Sequence, residues 1–271
     1  MSRSHAKLNN GVLIPSIGLG VFKTAPHETV LSVSQAIEMG YRHIDTAAIY
    51  GNEQEVGLAV KHSSIARKDI FVTTKVWRDD IATGNTVKAV EMSLSRLGFD
   101  YIDQMLLHWP EPSGRLAAWR QLEVLYSEGL VKSIGVSNFM VRHLRELINH
   151  ANILPAINQL EIHPFLQQRD VVEFCNQINI AICAYSPLAK SKGLGHHLVK
   201  HIADRNSLTP SQVLLSWNLT KGRVVIPKST NPTRQQDNLD ALNVELNEED
   251  IHLLDSLEDG LTTGWDPRQV A

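Results

Sequence analysis

Four residues of this 271-residue chain supply an acid, a phenol, an amine and an imidazole that together suggest proton transfer. They are Asp45, Tyr50, Lys75 and His108. A tyrosine with its ordinary pKa near ~10 is a poor proton donor at neutral pH unless a neighbouring cation stabilises its phenolate. We expect Lys75 to lower the pKa of Tyr50, and Asp45 to keep Lys75 charged and in place. His108 would then hydrogen-bond a substrate oxygen.

Such a group of side chains suits one kind of reaction. It can protonate an oxygen atom on which negative charge develops, as happens when hydride adds to the carbon of a carbonyl. Each residue also has a structural explanation, because Asp45 could cap a helix, Lys75 could lie in solvent and His108 could pack in the core. Carbonyl reduction is favoured only if the fold brings the four side chains together.

The short apolar runs that carry these residues recur along the whole chain. Segments with helical spacing separate them, as alternating β and α units require. The eight runs cover residues 16–21, 42–46, 70–76, 101–108, 131–137, 156–162, 180–186 and 223–229. Their order and near-continuous apolar character predict an α/β fold, the parallel (β/α)8 or TIM barrel, with an open doubly wound sheet as the alternative. The strand ends of such a barrel meet at one mouth, where its chemistry takes place.

Other local signals mark helix ends and a hairpin. Apolar residues with helical spacing lead up to Gly40 and Gly98, which are natural helix stops, and Thr209 and Asn247 have the side chains of helix N-caps. The segment KLNNGVLIP predicts a small N-terminal β-hairpin with its turn at the Asn-Gly pair. Because no segment has the composition of a linker, we expect residues 1–271 to form a single domain.

Composition excludes several classes of protein. With 43% hydrophobic residues, 20% charged residues and a formal net charge of -3, the chain has no excess of positive charge for nucleic acid. We find no segment typical of a signal peptide or a membrane span, and expect a cytoplasmic protein without a membrane partner. Cys175 and Cys183 lack the spacing of a metal site and are expected to be reduced core thiols. The histidines lack ligand spacing as well, so we expect no metal.

Several segments resemble the aldo-keto reductases. DTAAIYGNE (residues 45–53), TTKVW (73–77) and LLHWP (106–110) are similar to the catalytic motifs of that family. GVSNF, NQLEIHP, AYSPLA and IPKST are similar to its cofactor-binding segments, and all occur in family order. The resemblance extends from Gly18 to about Pro267 and is closest to short microbial members such as 2,5-diketogluconate and methylglyoxal reductases. It implies that Asp45, Tyr50, Lys75 and His108 catalyse the NADPH-dependent reduction of aldehydes and ketones.

The resemblance also implies how NADPH is bound, since the chain has no GxGxxG motif. Ser137, Asn138 and Gln159 would hydrogen-bond the carboxamide, and Tyr185 would stack on the nicotinamide ring. The cations Lys228 and Arg234, with Ser229 and Thr230, would surround a phosphate, which favours NADPH over NADH. The remaining expected contacts are Gly20, Val21, Phe22, Asp45, Ser186, Pro187, Leu188, Asp237 and Asn238. Asp237 stands where the family commonly has glutamate, and Val21 stands where it commonly has threonine.

By the same resemblance, five side chains form the substrate mouth. They are Phe22, Tyr50, Trp77, His108 and Trp109, and Trp265 would close the mouth. The loops after His108 and near the C-terminal end are short, which implies a shallow, open site for small dicarbonyls or keto-sugar acids. The family leans towards monomers, so we expect a monomer.

Three other functions stay open on the sequence alone. A lysine at a strand end could form a Schiff base in a lyase. A barrel of this kind could also be a non-catalytic, NADPH-binding regulatory module. A metal-dependent hydrolase is the third alternative, although the chain offers no paired carboxylates at ligand spacing.

Overall fold

The computed structural model describes residues 3–271, except for the side chain of Ser191. The chain begins with a hairpin in which β1 (His5–Lys7) pairs antiparallel with β2 (Leu13–Pro15). Gly11, in the turn between them, has a φ of 87°, a left-handed conformation that glycine adopts without strain. Ile14 is fully buried in a cluster with residues of the barrel strands. The predicted hairpin is therefore confirmed.

The main sheet has eight strands in chain order, and every neighbouring pair is parallel. They are β3 (Leu19–Gly20), β4 (His43–Asp45), β5 (Phe71–Val76), β6 (Gln104–Leu107), β7 (Ile134–Ser137), β8 (Ile157–Glu161), β9 (Ala181–Tyr185) and β10 (Val224–Val225). Parallel bridges join Ile17 to Val225 and Gly20 to Lys228, so the two edge strands meet. The sheet is thus closed, which confirms the predicted (β/α)8 barrel.

The seam between β3 and β10 has the shortest strands of the barrel. The apolar runs predicted strands of six or seven residues here, but only two residues of each form a ladder. Pro227 has no N–H group, so regular pairing of β10 stops before it. Gly20 lies so close to the opposite strand that a Cβ atom there would be 2.9 Å from the carbonyl oxygen of Ile226. Closure of the barrel therefore requires glycine at this position.

Eleven helices are found within residues 3–271, and most of them cover the outside of the barrel. They are α1 (Pro26–Met39), α2 (Glu53–His62), α3 (Arg78–Ala82), α4 (Thr86–Leu97), α5 (Arg115–Ser127), α6 (Val141–Ile148), α7 (Arg169–Gln177), α8 (His197–Asn206), α9 (Pro210–Thr220), α10 (Pro232–Asp240) and α11 (Glu248–Asp255). Across the part of the chain that the structure describes, none of these helices has the length and apolar character needed to cross a membrane.

The predicted helix ends are observed. Gly40 after α1 and Gly98 after α4 have left-handed φ values of 112° and 68°. The side chain of Thr209 accepts a hydrogen bond from the Gln212 N–H at the start of α9, and Asn247 caps α11 in the same way. Both cysteines are free and buried, and burial raises the pKa of the Cys175 thiol to about 12.

Candidate active site

A buried ion pair lies at the base of the barrel mouth. Lys75 on β5 places its Nζ 2.6 Å from Oδ1 of Asp45, the last residue of β4, and donates a second hydrogen bond to the Thr46 carbonyl at 2.8 Å. The other carboxylate oxygen of Asp45 accepts a hydrogen bond from Nε2 of Gln159 at 2.7 Å. Burial lowers the pKa of Lys75, but the Asp45 carboxylate and the neighbouring Tyr50 outweigh burial, so the net shift is upward. The amine is therefore charged.

Tyr50 lies above this pair in a 3-10 turn (Ala48–Tyr50) that follows β4. The Nζ atom of Lys75 is 5.1 Å from the centroid of the Tyr50 ring. Burial raises the pKa of Tyr50, and the opposing effect of Lys75 is smaller, so the net shift is upward. Lys75 therefore lowers the pKa of Tyr50 as expected from the sequence, but burial, which the sequence does not show, has the larger effect.

His108 follows β6 and faces Tyr50 across the mouth. Its ring packs edge-on against Tyr50, with centroids 5.7 Å apart, and against Trp77, with centroids 5.1 Å apart. Burial, and secondarily the Lys75 charge, holds the pKa of His108 well below its ordinary value. The imidazole is therefore neutral at neutral pH. The structure thus brings the four sequence-predicted residues together at the mouth.

Asn52 was not singled out from the sequence, although it stands in the DTAAIYGNE segment. Its side chain is buried, accepts a hydrogen bond from the Thr46 hydroxyl at 2.8 Å, and donates to the carbonyl of Val21 at 3.0 Å. It therefore ties the turn that carries Tyr50 to the loop of Gly20, Val21 and Phe22. A polar residue that is buried beside a turn is a structural signal that the sequence alone does not reveal.

Polar side chains at the ends of β7, β8 and β9 form a second group beside the ion pair. Tyr185 donates a hydrogen bond from its hydroxyl to Oδ1 of Asn138 at 2.9 Å. Asn138 donates in turn to the Ser137 hydroxyl and to the His108 carbonyl, each at 3.1 Å. Asn138 has a φ of 65°, a left-handed conformation that asparagine tolerates better than most residues. These hydrogen bonds connect Ser137, Asn138 and Tyr185 to His108, and Gln159 is bound to Asp45.

The chain after β9 turns sharply. Ser186 and Ala189 have left-handed φ values of 47° and 49°, and the N–H of Ala189 donates to the Ser186 carbonyl at 2.8 Å. Tight turns with left-handed residues are one kind of backbone segment that can direct free N–H groups at an anion. The residues expected to contact the pyrophosphate, Ser186, Pro187 and Leu188, lie in this turn.

Two exposed cations stand near the start of α10. Asn231 caps this helix by accepting a hydrogen bond from the Arg234 N–H at 3.0 Å. Within residues 3–271, neither Lys228 nor Arg234 forms an ion pair with an acidic side chain. Their charges and the helix N-terminus suit a phosphate group. The other expected residues of this segment are Ser229 and Asn238, which are buried, and Thr230, which is half-buried.

Asp237 is engaged within the protein. Its Oδ2 atom accepts hydrogen bonds from the hydroxyls of Thr209 at 2.8 Å and Ser211 at 2.7 Å. This carboxylate oxygen therefore stabilises the start of α9, and only Oδ1 is left for an external ligand. No local sequence pattern indicates this contact, because Thr209 and Ser211 precede Asp237 by 28 and 26 residues.

Aromatic side chains line the mouth. Phe22 contacts Tyr50, with ring centroids 4.9 Å apart. Trp265 contacts Trp77 at 5.8 Å and Trp109 at 6.1 Å between centroids. All the residues expected from the sequence to form the mouth thus lie in one connected set. Trp265 itself keeps 66% of its surface exposed.

Comparison with known proteins shows the family to which this chain is similar. Residues 16–259 match the Aldo/keto reductase family. The chain is 43% identical to the glyoxal reductase of Bacillus subtilis, over 97% of this chain and 96% of that protein. It is also 43% identical to the methylglyoxal reductase DkgA of Yersinia pestis, over 96% of this chain and 95% of that protein. A crystal structure of an aldo/keto reductase from Brucella melitensis shares 43% identity and superposes with a TM-score of 0.92, covering 95% of this chain and 99% of that one.

The chain therefore belongs to the aldo-keto reductase family of oxidoreductases. Members of this family generally use a nicotinamide cofactor and act on small-molecule carbonyls. The family predicted from the sequence is confirmed.

Proposed function

We propose that this protein reduces small aldehydes and ketones to alcohols with NADPH, and that Tyr50 donates the proton. The observation that carries the proposal is the buried Asp45–Lys75 ion pair directly beneath Tyr50, with the neutral His108 ring beside it. A lysine and an aspartate held without solvent at a barrel mouth are costly to bury. Stabilising a developing phenolate gives the pair a chemical role.

The four side chains would divide the proton transfer as follows. Burial keeps the Tyr50 hydroxyl protonated until charge develops on the substrate oxygen. The Lys75 ammonium then stabilises the phenolate that forms, and Asp45 holds the ammonium in place. His108, being neutral, can hydrogen-bond the substrate oxygen and orient it. The nicotinamide ring, when bound, supplies the hydride.

The polar groups around the mouth fit such a cofactor. Ser137, Asn138 and Gln159 would hold the carboxamide, and the Tyr185 ring would support the nicotinamide. The turn after β9 would bind the pyrophosphate through its N–H groups. The loop at Gly20, Val21 and Phe22, together with Asp45, would border the nicotinamide end, while Asn238 and Asp237 would lie at the adenine end. Lys228 and Arg234, which lack acidic partners within the described residues, would favour the additional phosphate of NADPH.

The substrate class follows from the mouth and from the relatives. Phe22, Trp77 and Trp109 offer apolar walls around the oxygen-binding pair Tyr50 and His108. Two relatives are named for the reduction of glyoxal and methylglyoxal. We therefore propose small dicarbonyls, with keto-sugar acids as a second group. We further propose that residues 1–271 act as one domain and as a cytoplasmic monomer.

The experiment is oxidation of NADPH, and separately of NADH, by the purified protein with methylglyoxal and with a keto-sugar acid. Tyr50→Phe is the matched control, because it removes only the hydroxyl. We expect turnover that prefers NADPH and falls by roughly 10²-fold or more in the variant, at unchanged cofactor affinity. Full activity of Tyr50→Phe would show that Tyr50 is not the proton donor. NADPH binding without turnover would favour a regulatory barrel, and borohydride trapping of substrate on Lys75 would favour a lyase.

A further inference from the structure

A buried carboxylate at the end of β8 has no part in the proposed chemistry. Glu161 is the last residue of this strand and only 3% of its surface is exposed. Its Oε1 accepts hydrogen bonds from the N–H of Thr263 at 2.8 Å and from the Thr263 hydroxyl. Its Oε2 accepts one from the N–H of Gly264 at 3.1 Å. A single side chain of the barrel thus binds two consecutive residues near the C-terminal end.

This carboxylate stays ionised. Burial raises the pKa of Glu161, but hydrogen bonds from His163 and Thr263 outweigh burial and lower it overall. The His163 ring is fully buried beside it, with Nε2 at 3.3 Å from Oε1. Hydrogen bonds to a charged acceptor are stronger than those between neutral groups. Glu161 is therefore a firm attachment point for the segment at 263–264.

The attached segment carries the outer wall of the mouth. Trp265 follows Gly264 directly and contacts Trp77 and Trp109. Because 66% of its surface is exposed, its own packing does not suffice to fix it. Gly264 also lies against Tyr185, since a Cβ atom there would be 3.4 Å from Oε2 of Glu161 and 3.7 Å from the Tyr185 hydroxyl.

We propose that Glu161 is a positioning residue that sets the substrate preference of the mouth. By holding Thr263 and Gly264 it keeps Trp265 over Trp77 and Trp109, which completes an aromatic slot outside Tyr50 and His108. A flat aromatic carbonyl compound would fill this slot, whereas methylglyoxal has no ring that could stack against Trp265. The inference rests on the proposed carbonyl reduction, because it assigns the slot to the substrate of that reaction.

The anchor itself is tested without turnover, by hydrogen exchange at the amides of Thr263 and Gly264. Glu161→Gln keeps the size of the side chain but replaces one acceptor oxygen with a donor. We expect exchange at both amides to become at least about tenfold faster in this variant, because a charge-assisted bond is lost. Thr263→Val is the matched control: it removes one hydroxyl donor and leaves both backbone hydrogen bonds, so it should accelerate exchange less.

The effect on substrate choice is tested by kinetics with phenylglyoxal and methylglyoxal. For Glu161→Gln we expect the KM for phenylglyoxal to rise roughly three- to tenfold, the range of an aromatic contact. The kcat values, the KM for methylglyoxal and the Kd for NADPH should stay within about twofold. Trp265→Ala should raise the KM for phenylglyoxal to a similar extent, and the double variant should raise it no further, because both changes remove the same aromatic wall.

Three results would overturn the proposal. If the hydrogen-exchange rates at Thr263 and Gly264 were unchanged in Glu161→Gln, Glu161 would not hold this segment in place. That conclusion does not depend on whether the protein reduces any substrate. Equal increases in the KM for both substrates would indicate a general disturbance of the active site rather than loss of the aromatic wall at Trp265. Additive effects of Glu161→Gln and Trp265→Ala on the KM for phenylglyoxal would mean that the two residues act separately. Absence of turnover in the unaltered protein would instead contradict the proposed function. The exchange experiment would still show whether Glu161 holds Thr263 and Gly264.

Discussion

The ammonium nitrogen of Lys75 lies 2.6 Å from a carboxylate oxygen of Asp45, and solvent reaches 0% and 3% of these two side chains. Removing two charges from water costs several kcal/mol for each ion, and their attraction compensates only when the geometry is good. The pair also has hydrogen bonds to the Thr46 carbonyl and from Gln159. Its two members therefore depend on each other for stability as well as for the proposed chemistry.

The first prediction separates the contribution of this ion pair to stability from its contribution to catalysis. Asp45→Asn leaves the buried ammonium without its counter-charge and should lower the free energy of unfolding by about 3 kcal/mol, as measured by urea denaturation. The double variant Asp45→Asn/Lys75→Met removes both charges and should recover much of this loss, while remaining inactive. If the double variant were as unstable as the sum of the two single variants, the pair would not be coupled.

The second prediction concerns the pH profile of the reduction. Burial and the Lys75 charge hold the pKa of His108 well below its ordinary value, so the ring stays neutral as the pH falls from 8 to 6. We therefore expect kcat to stay constant between pH 8 and 6, without the decrease that a histidine with an ordinary pKa near ~6.5 would cause.

His108→Gln is the control for that profile. It should lower kcat, because glutamine places its amide differently, but should leave the shape of the profile unchanged. An ionisation near ~6.5 that disappears in His108→Gln would show that the ring titrates in the ordinary range.

The third prediction concerns cofactor preference. Lys228 and Arg234 are exposed, and the structure gives neither an acidic partner within residues 3–271. Replacing either by alanine should raise the Kd of NADPH roughly tenfold, by loss of a charge-assisted phosphate contact, and should leave the Kd of NADH unchanged. Lys61→Ala, which removes an exposed charge from α2, is the matched control for net charge. Equal weakening of both cofactors would mean that the phosphate is held elsewhere.

Much of the fold and of the site could be predicted from the sequence. Asp45, Lys75 and His108 stand at or near the ends of apolar runs, and parallel strands in a barrel bring such ends to one mouth. Helix ends at Gly40 and Gly98 follow from glycine, the residue that adopts a left-handed conformation with the least strain. These features depend on local pattern and on the number of repeating units, both of which a sequence shows directly.

Other features depend on contacts between distant residues. Glu161 binds Thr263, which is 102 positions further along the chain, and no local pattern links them. The pKa of Tyr50 rises because burial outweighs Lys75, a balance that only the packed site determines. Asp237 was expected to face the cofactor, yet one of its oxygens binds two hydroxyls that precede it in the chain.

The last prediction concerns His43, which lies on β4 inside the barrel. Its Nε2 atom is 3.0 Å from the Thr73 hydroxyl, and only 1% of its surface is exposed. Burial lowers the pKa of His43 to about 4, from 6.5 in the unfolded chain. Between these values the unfolded chain binds more protons than the folded one, so stability is lost as the pH falls below 6.5 and through 4.

This histidine should account for about 3 kcal/mol of acid destabilisation when the pH is lowered from neutrality to ~4. The measurement is the free energy of unfolding from urea denaturation at several pH values, for the unaltered protein and for His43→Gln. Glutamine costs stability at every pH, because it does not fill the space of the ring, but it cannot bind the proton. The difference between the two proteins should therefore shrink as the pH falls. A constant difference would show that His43 does not titrate on unfolding and that other groups cause the acid sensitivity.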